Sequence, residues 1–491
     1  MSGLAQLGGP LAAVALAVLL LVRTRKERLA SLGFVLFGTA VLGASLAPHH
    51  HLLLLFGGLV LAIAAALPLA ALFRSFPWLL PLLALACVPI RIGVHLGGSS
   101  TKLLVPLYLV IAGAVVLLLW DLLAGDDRAR ELGLVATPLA LFVAWTGVSL
   151  LWTHDVHEGA IEMLAFYVPF TLLAVSIARL PWQTLGMRAV YLLLTVMGIG
   201  FAVVGFYQYE TRDIFQNPKV ITANAYAPLF RVNSVFWDPS IYGRFLVLAM
   251  LPSLVVLVRE RLGRLSLAVV ATLAVMWAGL LISFSQSSFA ALLVIVAGAS
   301  FLLWRWRALL VIVVAAAVLA GIAVAQPQVR LRLQHHTLHG LNEATSGRAS
   351  LVAGGIRIAR AHPVRGVGVG GFKRAYAKRA HLKGKDPKRA ASHNTPVTVA
   401  AETGAPGLLL FAWLLVAAFR QTFRRRGTLS LVAGLGIAAI FVHSLFYNAF
   451  FEDPMTWALL GLAAIGMPKV VVRPPKPVDR PVVEEREAVA V

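Results

Sequence analysis

Long apolar runs alternate with short charged segments along the whole chain. A helix that spans a bilayer needs about 20 mostly apolar residues, and runs of that kind follow one another almost without a break. The pattern predicts an all-α polytopic membrane protein with about fifteen spanning helices. We place them near residues 4–22, 30–47, 52–73, 78–95, 103–123, 133–152, 160–178, 189–206, 241–258, 265–283, 288–303, 308–326, 396–419, 428–447 and 453–467.

The amino-acid composition excludes a soluble globular protein. Of the 491 residues, 59% are hydrophobic and only 13% are charged, whereas soluble proteins average about 45–50% apolar and about 25% charged residues. The net charge is +22, and in a membrane chain this bears on orientation rather than on nucleic-acid binding. The single cysteine, Cys87, leaves no intramolecular disulfide bond and no cysteine-based metal cluster.

The short loops predict the orientation, because Lys and Arg are enriched in cytoplasmic loops. Loops on the opposite face, such as 48–51 and 97–101, carry little charge. If the helices alternate, four arginine-rich loops share one side: 23–28, 259–264, 305–307 and 420–426. We therefore expect the long loops outside the cell and the C-terminus in the cytoplasm.

Two external loops are too long to be simple connections. The basic loop holds 14 Lys and Arg residues against Glu343 and Asp386, a net charge of +12. Its partner is either the anionic lipid surface, at about 1 kcal/mol per basic residue, or a diphosphate held by a few arginines. The predicted units are N-terminal transmembrane scaffold helices at 1–206, a first external loop at 207–240, transmembrane helices at 241–326, the basic external loop at 327–395, C-terminal transmembrane helices at 396–467 and a disordered cytoplasmic tail at 468–491.

Two arginines lie where an anion would bind. Arg231 opens a polar, aromatic stretch just before a predicted membrane helix, and Arg348 follows Ser346 at a predicted helix start. A helix N-terminus presents unpaired N–H groups that favour a phosphate. The alternative for each is a structural arginine that pairs with a carboxylate such as Asp238 or Glu343.

Polar residues within the predicted spans are costly in hydrocarbon and are often functional. Arg91, Arg244 and Gln286 qualify, and in the predicted topology all three lie toward the external ends of their helices. They would face the same region as the two long loops. Snorkelling to the membrane interface is the alternative for each.

The glycine-rich segment 365–371 superficially resembles a phosphate cradle. Phe372 stands where a P-loop has Lys followed by Ser or Thr. We therefore reject nucleotide binding and expect a tight turn that brings the next helix back to the membrane.

His393 is the candidate general base. It lies where the basic loop re-enters the membrane, beside Asn394 and nine residues before Glu402. An imidazole at such a boundary can be neutral near pH 7 and accept a proton from a sugar hydroxyl. A capping or interface histidine is the alternative. No pair of loop histidines has the H-E-x-x-H spacing of a zinc site.

The order of several short motifs carries a family resemblance over roughly residues 205–460. The motifs are R-x-x-S-x-F-x-D-P at 231–239, S-x-S-Q-S-S at 283–288, S-G-R at 346–348, H-P-x-x-G-x-G-x-G-x-F at 362–372, H-N at 393–394 with E-x-G at 402–404, and F-Y-x-x-F-x-E-x-P at 446–454. In this order they resemble the superfamily of O-antigen ligases and polysaccharide polymerases. The first 200 residues contribute only hydrophobic helices.

The resemblance implies a GT-C-like helical bundle with a large external, mostly helical loop, and no cofactor or required metal. It implies en bloc transfer of a glycan from undecaprenyl diphosphate to a hydroxyl of a glycan or glycolipid acceptor, on the external face of the bacterial inner membrane. Arg231 and Arg348 match the family's loop arginines and His393 its loop histidine. Many members have S-R-G where this chain has S-Q-S at 285–287, so the positive charge of that arginine is missing here. Another basic residue, Arg244 or Arg365, would replace it.

Residues and resemblance lead to one mechanism. Arginines, with Arg91 as a further candidate, neutralise the diphosphate leaving group, and His393, with Glu402 as a candidate orienting residue, activates the acceptor hydroxyl. The motifs do not separate polymerase from ligase, and we favour polymerase slightly, because no feature indicates a lipid A core acceptor. The rival class is a transporter or flippase of lipid-linked oligosaccharide, against which stands the lack of a sequence repeat.

Overall fold

The computed structural model describes residues 2–46, 52–96, 99–215, 217–226, 229–259, 263–304, 348–380, 391–424, 427–465 and 470–471, and the single positions 310, 313 and 317. Within these residues, nine helices are long and apolar enough to cross a membrane, and four apolar helices are shorter. The predicted class, an all-α polytopic membrane protein, is confirmed. The predicted span 308–326 and residues 327–347 and 381–390 fall almost wholly outside the described part.

The first half of the chain is a series of helices interrupted by one β-hairpin. Its elements are α1 Ser2–Leu21, α2 Arg25–Leu46, α3 Leu52–Ser75, α4 Leu79–Cys87, β1 Ile92–Leu96, β2 Ser99–Leu103, α5 Val105–Leu123, β3 Arg128–Ala129, α6 Ala136–Val148, α7 Val156–Glu162, α8 Val168–Arg179 and α9 Thr184–Thr211. A π-helical turn at Met163–Tyr167 joins α7 to α8. One continuous crossing results, from Val156 to Arg179.

The second half carries the connections that form the site. Its elements are α10 Pro218–Tyr226, α11 Pro239–Arg259, α12 Arg264–Ser283, α13 Gln286–Trp304, α14 Arg348–Ala361, α15 Phe372–Arg379, α16 Thr395–Phe423, α17 Thr428–Ser444, α18 Pro454–Ala463 and β4 Val470–Val471. α16 contains one non-helical residue, Gly404, with φ 70° and ψ −167°. Pro406 follows it, and the helix is therefore two segments joined by a kink.

The predicted span 78–95 is wrong in its second half. Helix α4 ends at Cys87, and an antiparallel hairpin pairs Ile92 with Leu103 and Val94 with Thr101. Pro89 explains the helix end, because proline has no backbone N–H and cannot donate the next helical hydrogen bond; Val88 before it is still helical, with φ −55° and ψ −42°. The serine- and threonine-rich stretch that follows is polar enough to leave the bilayer.

The connections between helices gather at two opposite ends of the molecule. The end that we call the loop end holds the described connections 88–96, 99–104, 152–155, 212–215, 217–226, 229–238, 284–285, 362–371, 391–394 and 445–453. Bonds at this end include Thr153 Oγ1 to Val369 O (2.7 Å), Arg231 Nε to Ser283 O (3.2 Å) and Asn394 Nδ2 to Leu445 O (3.0 Å). The other end, the ion-pair end, holds segments 22–24, 124–135 and 180–183. There the 124–135 segment meets the C-terminal end of α16, where Gln421 Oε1 accepts from Leu134 N at 2.6 Å. The helices alternate between the two ends, as the topology requires.

Buried ion pairs stabilise the ion-pair end. Arg28 lies 2.7 Å from Glu131, and Arg179 lies 2.6 Å from both Glu131 and Asp126. Burial raises the pKa of Asp126, but hydrogen bonds from Arg128 and the charge of Arg179 outweigh it and lower this pKa to about 2. Because breaking one partner of a buried pair costs about 3–5 kcal/mol, the network fixes α2, α5 and α8 relative to one another.

An aromatic cluster joins the two halves of the chain beneath the loop end. Phe451 stacks on Phe142 of α6 with ring centroids 4.6 Å apart, and it also contacts Tyr167 and Trp457. Trp457 Nε1 donates to the Phe451 carbonyl at 2.8 Å. The N-terminal helices therefore anchor the 445–453 segment, whose other side forms part of the site.

Candidate functional site

Arg231 is held at the loop end by the short helix α10 and by the end of α12. Its backbone N–H donates to Asn224 Oδ1 at 3.1 Å, Asn224 Nδ2 donates back to the Arg231 carbonyl at 2.9 Å, and Arg231 Nε donates to Ser283 O at 3.2 Å. Burial and the charge of Arg348 lower the pKa of Arg231, while Asp238 raises it. Arg231 therefore lies within electrostatic reach of a second cation, an arrangement that favours a bound anion between them.

Arg348 is the first residue of α14. Its Nη1 donates to the Phe446 carbonyl at 3.4 Å, and its backbone lies at the positive end of the helix dipole. Ser346 and Glu343, which the sequence analysis considered beside it, lie outside the described residues. Arg231 and Arg348 are thus brought to one region although 117 residues separate them in the chain.

His393 and Asn394 lie just before α16. Both contact the 445–447 turn, which Arg348 also contacts. Asn394 caps the helix, because its Oδ1 accepts from Val397 N at 3.0 Å, and its Nδ2 donates to Leu445 O at 3.0 Å. The His393 ring packs against Tyr447, with centroids 6.2 Å apart. His393 has φ 60°, a left-handed conformation that is uncommon for a residue other than glycine. The three residues 445–447 therefore contact both Arg348 and the candidate base.

A second histidine, His443, lies buried below this turn. Its Nε2 is 3.0 Å from Ser287 Oγ and 3.2 Å from the Ser240 carbonyl, and its ring is 5.7 Å from that of Tyr447. Ser285 links to Ser287 and Ser288 through hydroxyl contacts of 3.2 and 2.8 Å. Gln286, a sequence candidate, is exposed at the start of α13. The serines around it, rather than Gln286, connect to the site.

Arg244 and Arg91 lie beside a small cleft between α11 and the start of α18. Arg244 Nε is 2.7 Å from Asp453 Oδ2, both side chains are buried, and Arg244 Nη1 has no hydrogen-bond partner. Arg91 lines the same cleft. Asp453 thus neutralises Arg244, which joins two helices of the bundle, and a diphosphate contact for Arg244 or Arg91 stays a prediction.

Arg365 lies at a different part of the loop end. It is exposed, its guanidinium is 5.9 Å from the Trp152 ring, and its carbonyl accepts from Trp152 Nε1 at 3.0 Å. These contacts are with the 152–155 loop and not with the 445–447 turn. Its suggested replacement of a missing phosphate contact also stays a prediction.

Glu402 contacts the glycine-rich segment. Its Oε1 accepts from Phe372 N at 3.2 Å. Val367 N donates to Ala401 O at 2.9 Å, and Gly368 N donates to the Glu402 carbonyl at 2.8 Å. The kink at Gly404 leaves helical carbonyls without their usual partners, and segment 365–371 supplies those partners. The segment is the expected tight turn, and Glu402 holds it; orientation of His393 by Glu402 stays a prediction.

The described residues contain no group of three or more His, Cys, Asp or Glu side chains that could hold a metal ion. Three chemical capacities instead lie in this region: the Arg348 guanidinium on the 445–447 turn with Arg231 within electrostatic reach of it, a half-buried imidazole, and a helix N-terminus. Guanidinium groups match phosphate oxygens in geometry and charge, and an imidazole can take up a proton near neutral pH.

Fold and site define a multi-spanning helical membrane protein with a cationic, imidazole-bearing site at one end of its bundle. Residues 271–412 match the family model described as O-antigen ligase, which agrees with the resemblance that the motif order carried. The matched segment runs from α12 into α16 and includes Arg348, Arg365, His393 and Glu402, whereas Arg91, Arg231 and Arg244 precede it. A comparison with curated proteins gave no match. The match supports an O-antigen ligase-type glycosyltransferase of polysaccharide assembly.

Proposed function

We propose that the protein transfers a glycan en bloc from undecaprenyl diphosphate to a sugar hydroxyl of a glycan or glycolipid acceptor, and that it acts as a polymerase rather than a ligase. The observation that carries the proposal is that Arg348 and His393 both contact the 445–447 turn, and that Arg231 lies within electrostatic reach of Arg348. A cationic pair suits the diphosphate, and the neighbouring imidazole suits the acceptor.

In the proposed reaction, Arg231 and Arg348 bind the diphosphate, each charge-assisted hydrogen bond contributing about 1.5–3 kcal/mol. The bond between the anomeric carbon and the diphosphate oxygen breaks, and its electron pair leaves with that oxygen, whose growing charge the arginines stabilise. The acceptor oxygen forms the new bond to the anomeric carbon while His393 takes its proton. Attack opposite to the leaving group inverts the configuration at that carbon.

The remaining candidates have supporting roles in this proposal. Arg91 and Arg365 extend the positive field of the loop end toward the diphosphate-linked donor, which attracts an anionic substrate, whereas Arg244 is paired with Asp453 and joins two helices. Glu402 holds the glycine-rich turn and is a candidate for orienting His393. The loop end faces the outside of the bacterial inner membrane, where acceptor glycans are accessible.

Transport of the lipid-linked glycan is the rival function, and the kink of α16 bears on it. Transporters use broken helices whose freed backbone groups bind substrate. Here Val367 N and Gly368 N donate hydrogen bonds to the freed carbonyls of Ala401 and Glu402 at 2.9 and 2.8 Å. Because the chain itself supplies donors for the carbonyls freed at the kink, the kink supports a rigid enzyme site better than a transport site.

The test is turnover by the purified protein of a synthetic polyprenyl-diphosphate oligosaccharide, with longer glycan and released diphosphate lipid as the two products measured. We expect Arg231→Ala, Arg348→Ala and His393→Ala each to lower turnover by at least about 100-fold. Arg360→Ala is the matched control, since Arg360 is an exposed arginine on the same helix as Arg348.

Turnover that survives both Arg231→Ala and His393→Ala would refute the site. If chelators abolish turnover, the metal-free reaction is wrong. Movement of the intact lipid-linked glycan across vesicles, without any longer glycan, would replace the proposal with transport.

A further inference from the structure

The ring of Tyr447 lies between two histidine rings. Its centroid is 6.2 Å from that of His393 at an interplanar angle of 64°, and 5.7 Å from that of His443 at 59°. Aromatic rings at such distances and tilted angles attract each other by about 0.5–1.5 kcal/mol beyond their burial. Tyr447 therefore makes a direct contact with the candidate base.

The support on the other side of Tyr447 is rigid. His443 is fully buried, and its Nε2 lies within hydrogen-bond distance of Ser287 Oγ and of the Ser240 carbonyl. These partners belong to α13 and α11, so the imidazole is tied to two membrane helices. A side chain that packs on His443 is therefore held in a fixed position relative to these two helices.

His393 needs such support, because its own backbone does not favour the observed conformation. Its φ of 60° costs of order 1–3 kcal/mol and persists only where the surroundings hold it. Asn394 fixes the backbone beside it through the helix cap and the bond to Leu445 O. The ring itself meets Tyr447, two residues along the same turn.

We propose that Tyr447 is a positioning residue for His393, its ring transmitting the fixed position of His443 to the candidate base. The same turn accepts the hydrogen bond from Arg348 through the Phe446 carbonyl, so Tyr447 also sets the distance between the base and the diphosphate arginine. The inference rests on the proposed function, because it assigns the base to His393.

The phenol takes part as a neutral ring. Burial and the neighbouring carboxylate of Asp238 raise the pKa of Tyr447, which keeps the hydroxyl protonated over the whole range in which an enzyme would be assayed. Its contribution is therefore the shape and position of the ring, and phenylalanine supplies both.

The first experiment measures kcat and KM for the polyprenyl-diphosphate donor in three variants. Tyr447→Ala is expected to lower kcat by about 10- to 100-fold, because small misplacements of a reacting group have effects of that size, and to leave the donor KM within about twofold. Tyr447→Phe restores kcat to within about threefold. Tyr207→Ala, which removes an exposed tyrosine ring on α9 away from the 445–447 turn, is the matched control.

The second experiment reads the position of His393 without catalysis. The rate at which diethyl pyrocarbonate modifies His393 is measured by peptide mass spectrometry, and we expect a rise of about threefold or more in Tyr447→Ala, because the ring that covers the imidazole is gone. Tyr447→Phe and Tyr207→Ala keep the wild-type rate. If Tyr447→Ala does not fold, Tyr447→Leu replaces it, since leucine fills the volume without an aromatic ring.

The outcomes separate the inference from the proposed function. Full activity of His393→Ala ends the assignment of the base. If His393→Ala is inactive while Tyr447→Ala has wild-type activity, only the positioning role is refuted. The positioning role is also refuted if Tyr447→Ala lowers the residual turnover of the His393→Ala variant by the same factor, because the effect would then not pass through the imidazole. Equal impairment of Tyr447→Phe and Tyr447→Ala refutes it as well.

Discussion

At the scale of single residues, the site depends on backbone positions that only glycine can occupy. Gly366, Gly368 and Gly370 have φ of 64°, 83° and 71°, and they press against the backbone of α16, of the 152–155 loop and of α7 respectively. A methyl group on Gly368 would overlap the backbone of Thr153, and one on Gly370 the backbone of Gly159. The segment that resembled a phosphate cradle is a packing element with no room for a side chain at its three left-handed glycines.

Gly368→Ala is therefore expected to destabilise the protein strongly. A left-handed φ costs a residue with a side chain of order 1–3 kcal/mol, and overpacking adds about 1–3 kcal/mol more. Thermal unfolding in detergent checks this. The control is Gly200→Ala, because Gly200 lies in α9 with nothing within 4 Å of the added methyl group, and it should melt at or slightly above the wild-type temperature. Equal melting of the two variants would contradict the packing role.

At the scale of elements, the 445–453 segment connects the site to the membrane helices. Its beginning contacts Arg348 and Asn394, its end caps α18 through Asp453 Oδ1 and pairs with Arg244 through Oδ2, and Phe451 stacks in the core. Glu452 lies between Phe451 and Asp453 in this segment. Burial raises its pKa to about 7, although Arg91 and Arg244 act to lower it. This segment therefore carries a carboxyl group that changes charge near neutral pH.

The raised pKa of Glu452 predicts a pH-dependent stability. The ordinary value for Glu is about 4.3, so between about pH 4.5 and 7 the folded state binds more protons than the unfolded state, and stability falls as the pH rises through this window. Glu452→Gln should remove this part of the slope and melt higher than wild type at pH 8. Glu210→Gln, at an exposed position on α9, serves as the control and should keep the wild-type slope. Parallel curves for wild type and Glu452→Gln would show that the group does not titrate there.

At the scale of the whole molecule, the two ends differ in kind. The ion-pair end is closed by buried arginine–carboxylate pairs such as Arg28 with Glu131, whereas the loop end gathers half-buried arginines beside a histidine. Such a division suits a protein whose chemistry occurs on one side of a membrane. The positive-inside pattern of the short loops predicts that the ion-pair end lies in the cytoplasm.

Labelling of single cysteines tests that orientation. In a Cys87→Ser background, Lys219→Cys at the loop end should react with a membrane-impermeant maleimide in intact cells from which the outer barrier is removed. Arg188→Cys, exposed at the opposite end of α9, should react only after permeabilisation. The reverse result would place the site in the cytoplasm and exclude an external acceptor.

The sequence predicted the spans well wherever an apolar run was long and uninterrupted, as at Thr184–Thr211 and Val105–Leu123. It failed after Cys87, because hydropathy averaged over a window conceals the effect of a single proline followed by polar residues. Arg231, Arg348 and His393 could be proposed from the sequence because charged or polar side chains in turn-rich segments stand out from a hydrophobic sequence. Tyr447 belonged to the F-Y-x-x-F-x-E-x-P motif, but nothing in the sequence indicated that its ring contacts His393.

By itself the sequence determined that the chain is a helical membrane protein and that it resembles the O-antigen ligase family, because these conclusions follow from composition, local periodicity and motif order. Tertiary structure alone decided that Arg244 is neutralised by Asp453, that Glu402 supports the glycine-rich turn, and that Tyr447 separates two histidines. Each of these contacts joins residues brought together by the packing of distant helices, and no local pattern encodes which helices become neighbours.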